Sequence, residues 1–196
     1  SSQPTLDTYG HARKCWQAVQ LHDPTGPLAD HSLMATANAS FKRGRFEEAA
    51  YNYDLLRKEY PKSIHQLDAH RLGAESRMLI YKGSTYDGGP LDAADEVVDQ
   101  TLVQFHTELG DERERLVQAK NKIVEERAER DLRIAEYYDR KKCYGSVRYY
   151  CKEVIDGYPH TKAAAKARKR LTEIEGLPDE PPNRFRWLTG MFKSND

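Results

Sequence analysis

The sequence predicts an all-α superhelical array of antiparallel helix hairpins, and three observations carry that expectation. Apolar residues recur at three- and four-residue steps, and runs of alternating β-branched residues do not occur. Glycine and proline cluster between long stretches instead of falling inside them. One pattern, "GRFEEAAYNYDLLRKEYP" at 44–61, returns at 142–159 as "KCYGSVRYYCKEVIDGYP", with few identities and unchanged spacing.

The periodicity places helices at about 6–20, 29–43, 46–59, 64–82, 91–105, 112–141, 144–156 and 161–175. In the second of these, Leu33, Ala37, Ser40 and Phe41 share a face whose small members let a neighbouring helix approach closely. Gly44 follows, where the chain needs a residue tolerant of left-handed geometry. The third helix lays Phe46, Ala49, Ala50, Tyr53, Leu56 and Tyr60 along one stripe, with acids early and bases late. Pro61 ends it, because proline disfavours helical geometry at Tyr60 and donates no backbone hydrogen bond.

The fourth helix carries Ala69, Ala74, Met78 and Tyr81, and "DGGP" then inserts a loop before Leu91, Ala94, Val98, Leu102 and Phe105 resume the helical spacing. The charged helix at 112–141 has sparse apolar positions, Leu116, Ile123, Ala128, Leu132 and Ala135, so one part is expected to pack and the rest to project into solvent. In the later copy Tyr144, Val154, Tyr158 and Pro159 match Phe46, Leu56, Tyr60 and Pro61, while Val147 and Cys151 replace Ala49 and Tyr53. The last helix turns Ala164, Ala167, Leu171 and Ile174 inward, as a cap over an exposed core. The expected organisation is an N-terminal helical segment at 1–28, the array at 29–175, and a proline-containing linker with a short amphipathic tail at 176–196.

Thirty-one basic residues balance thirty-one acidic ones, which argues against a duplex nucleic-acid binder whose affinity rests on neutralising phosphates. The basic run "KAAAKARKR" has no interleaved aromatics for base stacking and is expected to be a solvated back face. Cys15, Cys143 and Cys151 form neither a metal-ligand spacing nor a disulfide framework. No phosphate-binding loop, zinc-protease motif or nucleophile elbow occurs, so no catalytic residue, cofactor or metal is expected. His65 and His70, five apart, are expected to be surface residues on different helix faces.

A helix, a tight turn and a second helix closed by proline make a hairpin of about 34 residues, the length of a tetratricopeptide repeat (TPR). Gly44, Phe46, Ala49, Tyr53 and Pro61 resemble the TPR pattern at its glycine, aromatic, alanine, aromatic and proline positions, with Ala37 at the small position of the first helix. Within that class, "FKRGRFEEAAYNYDLLRKEYPKS", "AESRMLIYKGSTY" and "AEYYDRKKCYGSVRYYCKEVIDGYPHTKAAAKA" resemble the BamD (YfiO/ComL) outer-membrane lipoprotein family over about 29–175. The periplasmic CpoB (YbgF) TPR domain uses similar "YP" endings and supplies the alternative, a scaffold of envelope or division machinery.

The resemblance to BamD implies a non-enzymatic scaffold at the periplasmic face of the outer membrane, binding protein partners in β-barrel assembly. It also implies a lipid anchor, although none is found in this chain: the residues before Cys15, "HARK", are unlike those before a lipidated cysteine. The inner, first-helix face where TPR proteins hold peptides would include Met34, Asn38, Phe41 and Lys42, then Leu132, Glu136, Asp139 and Arg140. Packing between neighbours accounts equally well for Met34, Phe41 and Leu132. In the tail, Phe185, Trp187, Leu188, Met191 and Phe192 form an apolar stripe that either docks on a partner or membrane surface or covers the end of the array.

Overall fold

The computed structural model describes residues 8–181, and every regular element among them is an α-helix. In chain order these are α1 (Thr8–His22), α2 (Ala29–Lys42), α3 (Phe46–Glu59), α4 (Gln66–Ile80), α5 (Gly89–Gln104), α6 (Glu112–Arg140), α7 (Tyr144–Gly157) and α8 (Lys162–Glu173). Each expected helix is present, with ends displaced by at most a few residues. The α5 helix starts at Gly89, before the expected 91, because Pro90 falls in its first turn, where its fixed φ suits the helix and its missing N–H costs nothing.

Contacts divide the chain between Ile123 and Val124, inside α6. In the first unit α1 packs on α2, α2 on α3, α3 on α4 and α4 on α5. One core gathers Leu33, Met34 and Ala37 of α2 with Ala49, Tyr53 and Leu56 of α3 and Ala69 of α4. A second gathers Ala74, Leu91, Ala94, Val98 and Phe105 with Leu116 and Ile123. In the second unit Ala128, Leu132 and Ala135 pack with Val147, Cys151 and Val154 of α7 and Ala163, Ala164 and Ala167 of α8. The long α6 therefore does not pack in one part and project in the rest. Its five apolar positions are all buried, two in the first unit and three in the second, because small and widely spaced side chains suffice where the facing helices are themselves lined with alanine.

The repeated pattern is a repeated backbone. The stripe Ala49, Tyr53 and Leu56 is buried in α3, and Val147, Cys151 and Val154 are buried at the matching positions of α7. Both hairpin turns close in the same way. After α2, Gly44 donates to Phe41 O and Arg45 to Ser40 O, with Gly44 at φ 72°. After α6, Lys142 donates to Asp139 O and Cys143 to Tyr138 O, with Lys142 at φ 59°. This is the Schellman arrangement, in which a left-handed residue lets the last carbonyls of a helix find donors. The recurring tyrosines also anchor their hydroxyls: Tyr60 donates to Pro24 O at 2.7 Å and Tyr158 to Asp131 Oδ2 at 3.0 Å.

Helices packed on two sides must bury polar positions, and the short hydroxyl side chains satisfy themselves. Thr36, Ser40, Ser76 and Thr101 each donate to the carbonyl four residues back, so burial leaves no hydroxyl unpaired. Gln66 is buried in the first turn of α4 and reaches back to the end of α3, donating to Tyr60 O at 2.7 Å, Arg57 O at 3.2 Å and Leu56 O at 3.3 Å. His70, expected at the surface, is buried at 4% exposure: Nδ1 lies 2.8 Å from Gln66 O, and the ring meets Phe105 edge-on. It lies one turn after Gln66 on a face of α4 that faces other helices, so the buried arc is wider than the apolar stripe alone. Burial pushes its pKa down, and the Gln66 carbonyl only partly offsets this.

Candidate functional site

A TPR-type hairpin leaves its first-helix face available for a ligand, and each unit forms a groove on such a helix. In the second unit the groove has a cavity of about 270 Å³. Its floor is apolar: Leu132 and Ala135 of α6, and Val147 and Cys151 of α7. Its walls are charged, with Glu136 and Asp139 on α6 and Lys166, Lys169, Arg170 and Glu173 on α8. The basic run of α8 is thus not simply a solvated back face. Ala163, Ala164 and Ala167 point into the core, and helical geometry then swings Lys166, Lys169 and Arg170 to the groove rim.

Arg170 organises the site. Its two terminal nitrogens donate to Asp139 Oδ1 and Glu173 Oε2, each at 2.7 Å, and these hydrogen bonds push its pKa upward, so it is permanently cationic. Its Nε is buried and has no hydrogen-bond partner. A donor shielded from water and unpaired costs about 1–3 kcal/mol, which the two charge-assisted hydrogen bonds of the terminal nitrogens offset. Beneath it, burial pushes the Cys151 thiol up, which removes the thiolate that nucleophilic chemistry requires.

The groove of the first unit has a cavity of about 330 Å³. Ala74 and Met78 of α4, Val98 of α5, and Leu116 and Ala119 of α6 line its apolar part. Arg71, Glu75, Glu112, Arg115 and Lys122 supply the charge. Glu112 accepts from Arg115 through Oε1 at 2.6 Å, and its Oε2 lies 3.9 Å from Arg71 Nε. That oxygen is buried without a hydrogen-bond partner. Both grooves thus combine an apolar floor with charged side chains of both signs along the walls.

Of the residues the sequence singled out, Leu132, Glu136 and Asp139 come together in the second groove, whereas Arg140 is exposed. In the first unit Met34 belongs to the core, Asn38 accepts from Tyr53 Oη at 2.7 Å, Phe41 packs edge-on against Phe46, and Lys42 is exposed. Phe185, Trp187, Leu188, Met191 and Phe192 lie outside the described residues. Sequence reasoning missed Arg71, Glu75 and Met78, although their steps of four and three along α4 mark one face. It also missed α8 as a groove wall, since its basic run suggested only solvent.

Among the described residues no helix is long and apolar enough to cross a membrane. Comparison with curated proteins gives no match at a significant level. A family model does match, over residues 4–176, which is most of the chain, and it describes an outer membrane lipoprotein. With eight helices among the described residues, a repeated proline-closed hairpin and a family model matching residues 4–176, this chain belongs to the YfiO outer membrane lipoprotein family.

Proposed function

We propose that the protein is a non-enzymatic scaffold of the BamD type. It works at the periplasmic face of the outer membrane and holds segments of protein partners during β-barrel assembly. The observation that carries this reading is a groove with an apolar floor and charged walls, in which Glu136 on α6 faces Lys166 and Lys169 on α8. An extended or helical segment would lay an apolar side chain into the groove, and its acidic or basic side chains would pair along the rim. The raised Cys151 thiol and the ion-paired walls favour binding over catalysis. Membership of the lipoprotein family supports attachment through a lipid anchor.

The test is site-specific photo-crosslinking in envelope preparations, with the crosslinking side chain at Glu136 and, separately, at Glu75. Recovery of β-barrel assembly components from either position is expected. Lys166→Glu with Lys169→Glu, both exposed on the groove rim, should reduce the yield at position 136 by tenfold or more. Crosslinks confined to division or other envelope machinery, or none to assembly components, would overturn the β-barrel role.

A further inference from the structure

The repeats leave one cluster unexplained, at the opposite end of the first unit from its groove-lining α6 residues in sequence. Asp30 and His31 stand in the first turn of α2, and His65 immediately precedes α4. The α2 helix carries the chain away and the antiparallel α3 returns it, so that one ligand atom from each of the three side chains lies within 4.8 Å of the others. The imidazoles meet edge-on, with ring centres 4.7 Å apart. The carboxylate is already held in place: Ser63 Oγ donates to Oδ2 at 2.6 Å, and the His31 backbone N–H donates to Oδ1 at 2.8 Å. His31 Nδ1 lies 2.7 Å from the same Oδ1.

The geometry points to a binding site for a zinc-class divalent cation, with Asp30, His31 and His65 as its protein ligands and water completing the shell. Two imidazoles and one carboxylate suit borderline ions such as Zn²⁺, whereas Mg²⁺ and Ca²⁺ favour all-oxygen shells. Bonds of about 2.0–2.2 Å in a tetrahedral shell put two ligand atoms of one ion roughly 3.4 Å apart, so the widest separation in the cluster must close by about 1.4 Å. His31 is exposed and free to make that adjustment. Both helix N-termini oppose a cation, an effect small beside the ligand bonds. Ser63 orients the carboxylate as an outer-shell partner. A bound ion would clasp the start of α2 to the turn between α3 and α4.

The test uses the tag-free full chain. Calorimetric titration with Zn²⁺ should show one ion per chain, and Co²⁺ should give a visible absorption band that Zn²⁺ removes. His31→Ala, His65→Ala and Asp30→Asn should each weaken binding at least tenfold, and Ser63→Ala by about tenfold. His22→Ala and His106→Ala, exposed elsewhere, should leave affinity unchanged. Circular dichroism checks that each variant keeps its helices. A His31→Ala/His65→Ala double variant that binds Zn²⁺ with wild-type stoichiometry and affinity would overturn the site, as would a wild-type chain that binds none.

Discussion

Lys142 holds the left-handed backbone conformation that Gly44 holds in the earlier hairpin, φ 59° against φ 72°, and each donates a hydrogen bond into the last turn of the preceding helix. Glycine enters this region freely, while a residue with a Cβ is destabilised there by about 1–2 kcal/mol. Lys142→Gly should therefore stabilise the protein by about 1 kcal/mol. Gly44→Ala should destabilise it by a similar amount although nothing lies within 4 Å of an added Cβ, since the penalty is conformational. Urea unfolding followed by circular dichroism measures both.

Gln66 is expected to matter more than its polarity suggests. Replacing it with leucine keeps the bulk but removes the donor shared among Leu56 O, Arg57 O and Tyr60 O. Leu56 O and Tyr60 O keep the backbone donors Tyr60 N and Ser63 N, so the loss leaves Arg57 O unmet and should cost about 1 kcal/mol. Gln66→Glu, which loses the donor and adds a charge, should cost more. Equal stability of Gln66→Leu and wild type in urea would show that water replaces the amide.

Protonation of His70 should weaken the fold. Burial lowers its pKa below the ordinary histidine value of 6.5, so just below that pH the unfolded chain binds more protons than the folded one. Stability is then fully present above about pH 6.5 and falls as the pH drops below it. Asp30 contributes separately and lower: its carboxyl is depressed from 3.8 to about 2, so its stabilisation is present above pH 3.8 and is lost as the pH falls through 2. The urea midpoint of wild type should decrease between pH 7.5 and 5.5, and His70→Gln should show a smaller decrease. An unchanged slope would count against a neutral buried imidazole.

Tyr53 is wholly buried, and its hydroxyl donates to Asn38 Oδ1 at 2.7 Å. Tyr53→Phe removes that hydrogen bond and should cost about 1 kcal/mol. Tyr53→Ala also empties the centre of the α2–α3–α4 core and should cost about 3–5 kcal/mol. The difference between the two, read from thermal or urea unfolding, separates the polar contribution from the packing one.

The helices were legible because each is amphipathic over three or more turns. The stripe Phe46, Ala49, Tyr53 and Leu56 announces α3 without any partner in view. The half of the groove that rests on α6 was legible for the same reason, because Leu132, Glu136 and Asp139 follow from the face of a first helix. What packs against two neighbours was not. His70 and Gln66 look like surface residues in sequence, and only the arrival of α3 and α5 on either side of α4 buries them. The approach of His31 to His65 was equally hidden, since it depends on the path of a whole intervening helix. On α8, three buried alanines fix where the lysines point, a fact of packing that charge pattern alone does not convey.

The fastening at the end of each hairpin limits how this fold can be rearranged. In the first copy Tyr60 O is met by the side chain of Gln66, whereas in the second Tyr158 O is met by the hydroxyl of Thr161 at 2.8 Å. Where α4 has Gln66, the matching position of α8 is the fully buried Ala164. Grafting α8 behind α3 would remove the amide that joins the two elements, and grafting α4 behind α7 would press a glutamine into a space shaped for a methyl group. The copies share an outline but no longer share parts, so recombination between them would yield chimeras that are well outlined and poorly joined.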